Sequence, residues 1–305
     1  MGNHYHSNGK LLLTGEYLVL QGAQALALPV KRGQHLHVFP LNKPGIIHWK
    51  SSYLNTLFFE AQFIIQEKKV TVNSDSDPSK FLQNLLQHAL DMAPDAFSNQ
   101  GYRIETMLEF PLEWGLGSSS SLISNIAEWL QIDAFKLNHQ VNQGSGYDIA
   151  CAKSHRPILY KKLNGSVHYE PISFNPPFQD SLYFIYTGKK QDSHKEVKKF
   201  LKGNNVKPPL TEHIERINKE ILHTSSLEAF AQHLREHELL ISKTLNKKPI
   251  QENQFPDFPG TIKSLGAWGG DFILAATHIP WDELKDYFQR HNMNTLFTWG
   301  ELIKT

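Results

Sequence analysis

The sequence predicts an α+β protein of two domains, and three observations carry that reading. At 305 residues the chain is long enough for one or two full cores, with two the expected number. Strand-like alternation and helix-like spacing both recur along it. Residues 111–121, Pro-Leu-Glu-Trp-Gly-Leu-Gly-Ser-Ser-Ser-Ser, join a strand-like run to a helix-like one through glycines and hydroxyls. Lysine plus arginine (31) nearly balances aspartate plus glutamate (30), so no global field recruits nucleic acid or an anionic membrane. The single cysteine, Cys151, has no internal disulfide partner and lies in an apolar run, as an inert thiol in a reducing compartment would. Residues 1–10 are polar and lack the apolar core of a signal peptide. A soluble, cytoplasmic protein is expected.

The elements follow in order. Leu11, Leu12 and Leu13 read as a strand, with Gly15 permitting a sharp reversal after it. Residues 25–39 suggest further strands, on which His35 and His37 would share a face; two histidines alone point more to a solvated face than to a metal. Residues 46–72 read as two or three antiparallel strands rich in aromatics. A helix opening at Pro78 or Ser79 carries Phe81, Leu82, Leu85, Leu86 and Ala89 on one side and ends before Pro94. Residues 101–110 alternate as a half-buried strand, and Leu122, Ile123, Ile126, Ala127 and Leu130 recur at helical spacing. A short helix is expected at 133–141, and an apolar strand after Asp148. Strands at 158–161 and 167–171 precede Pro176-Pro177, a joint between domains 1–175 and 176–305. Beyond it come a strand at 182–187, a helix at 193–201, two helices marked by Ile214, Ile217, Ile221 and by Leu227, Phe230, Leu234, Ile241, then strands at 272–276 and 296–299 around a helix at 280–290. His233 and His237, one helical turn apart, are not expected to bind metal.

Three stretches carry chemistry. Serines at a helix start, preceded by Gly115 and Gly117, offer unpaired N–H groups and the positive end of a helix dipole to a polyphosphate. The alternative is a Gly-Ser turn capping an ordinary helix. Lys10, at a strand end, is placed either in solvent or against a phosphate or acidic substrate, and Glu16 to hold a cation or a structural hydrogen bond. Asp148, after Gly144-Ser145-Gly146, is placed to accept or orient a hydroxyl proton, or else to bond its own turn.

Taken together these stretches resemble the GHMP kinases, the superfamily of galactokinase, homoserine kinase, mevalonate kinase and phosphomevalonate kinase. Asn8-Gly9-Lys10-Leu11-Leu12-Leu13-Thr14-Gly15-Glu16-Tyr17 is similar to their first motif, and residues 111–121 to their proline-led Gly-Leu-Gly-Ser-Ser phosphate loop. Gly144 and the Gly146-Tyr147-Asp148-Ile149-Ala150 wording resemble the segment of the catalytic aspartate in a bacterial subgroup near the mevalonate and phosphomevalonate kinases. Lys263-Ser264-Leu265-Gly266-Ala267-Trp268-Gly269-Gly270-Asp271 stands where the glycine-rich third motif should be. The four matches run from residue 8 to residue 271.

The resemblance implies an N-terminal ribosomal-S5-like domain that binds ATP and a C-terminal ferredoxin-like domain. It implies transfer of the ATP γ-phosphoryl group to a small molecule with a hydroxyl or phosphate acceptor, mevalonate or phosphomevalonate first, and with it a place in isoprenoid biosynthesis. Gly115, Leu116, Gly117, Ser118, Ser119 and Ser120 would hold the nucleotide, Ser119 would meet Mg²⁺, and Lys10 and Asp148 would be catalytic. Glu16, Lys189, Gly266 and Gly269 would face the acceptor, with Lys190 and Ser193 beside Lys189. Three features depart from the family. Trp268 replaces a glycine of the third motif, which implies a rearranged or partly filled loop. The interval from Ser121 to Gly144 is short. No glutamate occupies the place of a second metal ligand, where Asn138, His139 and Gln143 look more like the phosphomevalonate kinase pattern. A diphosphomevalonate decarboxylase and a catalytically silent member that binds nucleotide or a partner protein are the other readings. Oligomeric state does not follow from these residues, a homodimer being left open.

Overall fold

Alternation in the strands and helical spacing between them direct apolar side chains to cores that the computed structural model displays for residues 2–142, 144–163, 165–190, 193–203, 208–266 and 268–305. Gln143 and Ala267, both in the stretches singled out above, lie outside the described residues. In chain order the first elements are β1 (Asn3–Thr14), β2 (Ala25–Leu41), β3 (Ile46–Tyr53), β4 (Thr56–Gln66), β5 (Lys69–Val72), α1 (Asp77–Met92), β6 (Gly101–Leu108), α2 (Ser118–Leu130), α3 (Ala134–Val141) and α4 (Tyr147–Lys153). There follow β7 (Ile158–Leu163), β8 (Ser166–Pro171), β9 (Leu182–Tyr186), α5 (Ser193–Gly203), α6 (Pro208–His223), α7 (Leu227–Leu245), α8 (Ile250–Gln254), β10 (Thr261–Ser264), β11 (Phe272–Ala276), α9 (Trp281–Arg290), β12 (Leu296–Thr298) and α10 (Trp299–Leu302).

These elements form two compact units, each built from separated stretches: 1–9, 32–112 and 116–153 in the first, 10–31, 113–115 and 154–305 in the second. The sequence reading expected one cut after residue 175. The units instead interleave, because β2 pairs with β7 through its first residues and with β6 through its later ones. Pro176-Pro177 therefore lies inside the second unit.

In the first unit, β2 and β6 run antiparallel with His35 opposite Met107, β6 and β3 run parallel, and β4 and β5 continue antiparallel. The inward residues Leu36, Val38, Trp49, Phe63 and Ile104 pack with Leu85, Leu86 and Ala89 of α1 and Ile123, Ile126 and Ala127 of α2. α1 starts at Asp77, one residue before the expected Pro78, with Ser76 as N-cap accepting the Ser79 N–H and a proline in the first turn. One expectation fails here. The run after Asp148 is the helix α4, not a strand, and its Ile149, Ala150, Cys151 and Ala152 are all buried. A short apolar run buried on all sides has no period that distinguishes the two.

In the second unit, β9, β10, β11 and β12 form an antiparallel sheet of spatial order β10-β11-β9-β12. With helices between β9 and β10 and between β11 and β12, this is the β-α-β-β-α-β ferredoxin-like arrangement. Ile185, Ile262, Ile273 and Ala275 of the sheet pack on Leu284 and Phe288 of α9.

Candidate active site

The first unit supplies a helix start and a carboxylate. The chain enters α2 through Gly117 in the left-handed conformation (φ 88°), and no side chain caps the helix. A left-handed entry disfavours any residue with a Cβ. The serines, which as capping residues would have supported the plain-turn reading, do something else. Ser121 is buried, donates through Oγ to Oε1 of Gln34 at 2.7 Å and gives its N–H to the Gly117 carbonyl at 3.0 Å. Ser118, Ser119 and Ser120 are half-buried in the first turn. Their N–H groups and hydroxyls make a donor set suited to phosphate oxygens, and the Ser119 hydroxyl suits a magnesium ion that keeps most of its waters. Asp148, half-buried, stands in the first turn of α4, which packs on α2.

The second unit holds Lys10 to Tyr17 of the first stretch, residues 113–115 of the loop before α2, and the late glycine-rich stretch. Lys10 Nζ on β1 donates to the Gly115 carbonyl at 3.1 Å. Gly115 has φ 67°, and a Cβ there would collide with the carboxylate of Asp271. Asp271 is 7 % exposed and itself left-handed (φ 54°), its N–H given to the Lys189 carbonyl at 2.6 Å and its carbonyl accepting the Thr187 N–H at 2.9 Å. Residues 113–115 are further held by Trp114, whose ring meets Phe272 edge-on at 5.9 Å and Phe297 at 5.3 Å, and by the Tyr186 hydroxyl donating to the Glu113 carbonyl at 3.1 Å. Trp114 and Asp271 lie within the stretches quoted from the sequence, but the sequence assigns neither of them a role. A loop aromatic and an aspartate after two glycines have ordinary structural readings, and only the fold brings Trp114 to Phe272 and Phe297 and Asp271 to Gly115.

The residues expected to face an acceptor fare differently. The Lys189 side chain is exposed, as is Lys190, and the Ser193 side chain lies outside what is described. Gly266 and Gly269 are left-handed (φ 65° and 102°), and a Cβ on Gly266 would meet nothing. Glu16 is drawn inward. It is 1 % exposed, pairs with the fully buried Lys263 Nζ, and has its other oxygen 3.3 Å from Nε2 of His237. Burial pushes its carboxyl up to about 7, against the pull of Lys263. Of its two sequence readings, the structural bond is the one this geometry displays. Trp268 turns into a core with Tyr17, Leu18, Ala23, Phe200, Ile214 and Ile241 and is 3 % exposed. Its ring fills the interior of this unit, so the loop is partly filled rather than left open at this position.

No protein-family model and no curated protein matches the sequence. Solved structures do match over nearly the whole chain. Mevalonate kinase of Methanococcus jannaschii superposes with a TM-score of 0.70 at 15% identity, covering 100% of this chain and 99% of that one. Phosphomevalonate kinase of Streptococcus pneumoniae, in complex with phosphomevalonate and AMPPNP, gives 0.71 at 15% identity, over 97% and 99%. Galactokinase of Lactococcus lactis, complexed with galactose, gives 0.67 at 13% identity, over 95% and 88%. With the ferredoxin-like strand order and the glycine-led start of α2 already in view, the conclusion concerns architecture: this chain has the two-domain α+β fold of the GHMP kinase superfamily.

Proposed function

We propose that the protein is an ATP-dependent small-molecule kinase, transferring the γ-phosphoryl group to a hydroxyl or phosphate acceptor of the mevalonate or phosphomevalonate kind. The observation that carries this reading is the start of α2, where a left-handed glycine leads into a helix with no side-chain cap. The first-turn N–H groups of Ser118, Ser119 and Ser120 are then left for the phosphates of the nucleotide. Ser119 would hold Mg²⁺, which when bound to the nucleotide neutralises charge on the transferring group. Lys10, fixed on the Gly115 carbonyl, places a positive charge at the same loop. Asp148 takes the acceptor proton: the new bond forms between acceptor oxygen and γ-phosphorus, the bond from γ-phosphorus to the bridging oxygen breaks, and ADP leaves. A phosphate acceptor, already anionic, asks Asp148 only to orient it.

The test is ADP release from Mg-ATP by the purified protein across mevalonate, phosphomevalonate, diphosphomevalonate, homoserine and galactose. One acceptor is expected to be consumed with stoichiometric ADP and no carbon dioxide. Carbon dioxide from diphosphomevalonate assigns a decarboxylase instead, and nucleotide binding without turnover on any acceptor assigns a silent scaffold.

A further inference from the structure

Alternation on two paired strands gathers four histidines on one face of the first unit. His4 and His6 lie two apart on β1, His35 and His37 two apart on β2, and β1 pairs with β2. Ring centroids are 4.5 Å apart for His4 and His37, 5.1 Å for His4 and His35, and 4.7 Å for His6 and His35. A carboxylate completes the group. Glu109, just past β6, bonds Gly33 of β2 twice: its N–H is given to the Gly33 carbonyl at 3.0 Å, and its side-chain Oε2 accepts the Gly33 N–H at 2.6 Å. Glu109 Oε1 is 3.3 Å from Nε2 of His35, and Oε2 is 3.5 Å from Nε2 of His6.

From this geometry we infer that His6, His35 and Glu109 form a binding site for one first-row divalent transition metal of the zinc class. One ligand atom from each lies within 4.8 Å of the other two, the only such trio among the described residues. Two ligand atoms bound to one tetrahedral zinc at 2.0–2.1 Å stand ~3.3 Å apart, and each histidine is near that spacing from one of the two Glu109 oxygens, His35 from Oε1 and His6 from Oε2. Two imidazoles and one carboxylate select zinc, cobalt or nickel over magnesium, which prefers an all-oxygen shell. The side chains of His6, His35 and Glu109 remain 31%, 21% and 36% exposed, so a bound ion keeps positions for water. The supporting shell is present as well. His4 Nε2 lies 2.9 Å from Nδ1 of His35, fixing the ring that would ligate through Nε2, and Lys153 Nζ donates to the His6 carbonyl at 2.9 Å. A Cβ at Gly33 would overlap the His6 ring and the Ser7 carbonyl, so glycine is required where Glu109 and His6 approach β2. The inference does not depend on the kinase reading, since none of these residues enters it.

The test titrates the full chain, freed of metal by a chelator, with Co²⁺, and then displaces Co²⁺ by Zn²⁺ in a chromophoric-chelator competition. One equivalent is expected, with visible d–d bands, unaffected by a ~1,000-fold excess of Mg²⁺. His6→Gln, His35→Gln and Glu109→Gln are each expected to weaken Zn²⁺ at least ~10-fold, the size of effect that even an outer-shell loss produces. Zn²⁺ should also raise the thermal midpoint of the wild type and not of His6→Gln, whose half-exposed position leaves the sheet intact. No saturable binding by the wild type overturns the inference, as does binding that survives all three substitutions or is lost only in His4→Ala.

Discussion

The amide of Gly15 donates to Nε2 of His237 at 2.9 Å, in a place where neither residue meets solvent. An imidazole nitrogen that accepts an amide hydrogen is unprotonated, so this bond holds His237 neutral. Its burial and the nearby Lys263 ammonium agree, driving its pKa well below 6.5. Glu16 lies 3.3 Å from the same Nε2, and Glu238, which accepts the Ser264 N–H and hydroxyl, has a carboxyl also raised by burial.

Stability should therefore respond to pH in two opposed ways. For His237 the unfolded chain binds the proton more readily, so stability falls as pH drops through 6.5. For Glu16, whose folded value is about 7 against 4.5, the folded state holds the proton more tightly. Its contribution is complete below 4.5 and is lost as pH rises through 7. In urea denaturation across pH 5 to 8, His237→Gln should gain stability relative to wild type on acidification, and Glu16→Gln should lose it, each by up to about 1.4 kcal/mol per pH unit. Parallel profiles for the two variants would contradict this account.

Gly115→Ala should separate the Lys10 and Asp271 sides of residues 113–115. The added Cβ meets the Asp271 carboxylate, and the left-handed backbone adds about 1–2 kcal/mol of strain. ATP affinity measured by calorimetry should drop about tenfold or more. Gly266→Ala, also left-handed but facing open space, bears only the backbone part and serves as the comparison.

Asp148→Asn should lower kcat on the consumed acceptor by about 10²–10⁴-fold with an unchanged thermal midpoint, because the side chain is half-buried and the substitution keeps its size. A hydroxyl acceptor should show the larger loss, since only it gives up a proton. Equal activity of the variant and the wild type would remove Asp148 from the chemistry.

Trp268→Gly installs the residue that the resemblance would expect at this position and should nonetheless harm the protein. The ring is buried among Tyr17, Phe200 and Ile241, so its loss opens a large cavity and should cost about 3–5 kcal/mol. Denaturant unfolding checks the magnitude. A variant as stable as wild type would mean that the core does not rest on this ring.

What the sequence disclosed followed from regular spacing. Leu122, Ile123, Ile126 and Ala127 foretold α2 because one apolar stripe at helical period has a single reading. β2 ran on unforeseen as one strand from Ala25 to Leu41, since Pro29, Gly33 and Pro40 are all usual breakers. Lys10 and Gly115 were named separately, and their hydrogen bond spans 105 residues. The Glu16–Lys263 pair, 247 residues apart, left no local trace at all: a lysine beside a glycine-rich loop reads as exposed, and only the fold buries it. The histidines show the same limit. From the sequence His35 and His37 read as a solvated pair, and only the fold brings β1 and Glu109 beside them.

The order of the ferredoxin-like sheet has a consequence for synthesis. β9, the five residues Leu-Tyr-Phe-Ile-Tyr, is an inner strand whose two neighbours, β11 and β12, both come much later in the chain. At about 5–20 residues per second, a ribosome takes several seconds or more to deliver the roughly 90 residues from β9 to β11. Throughout that interval an apolar segment with both edges open waits in the nascent chain, where a holding chaperone or an aggregation-prone encounter would reach it before its own partners do.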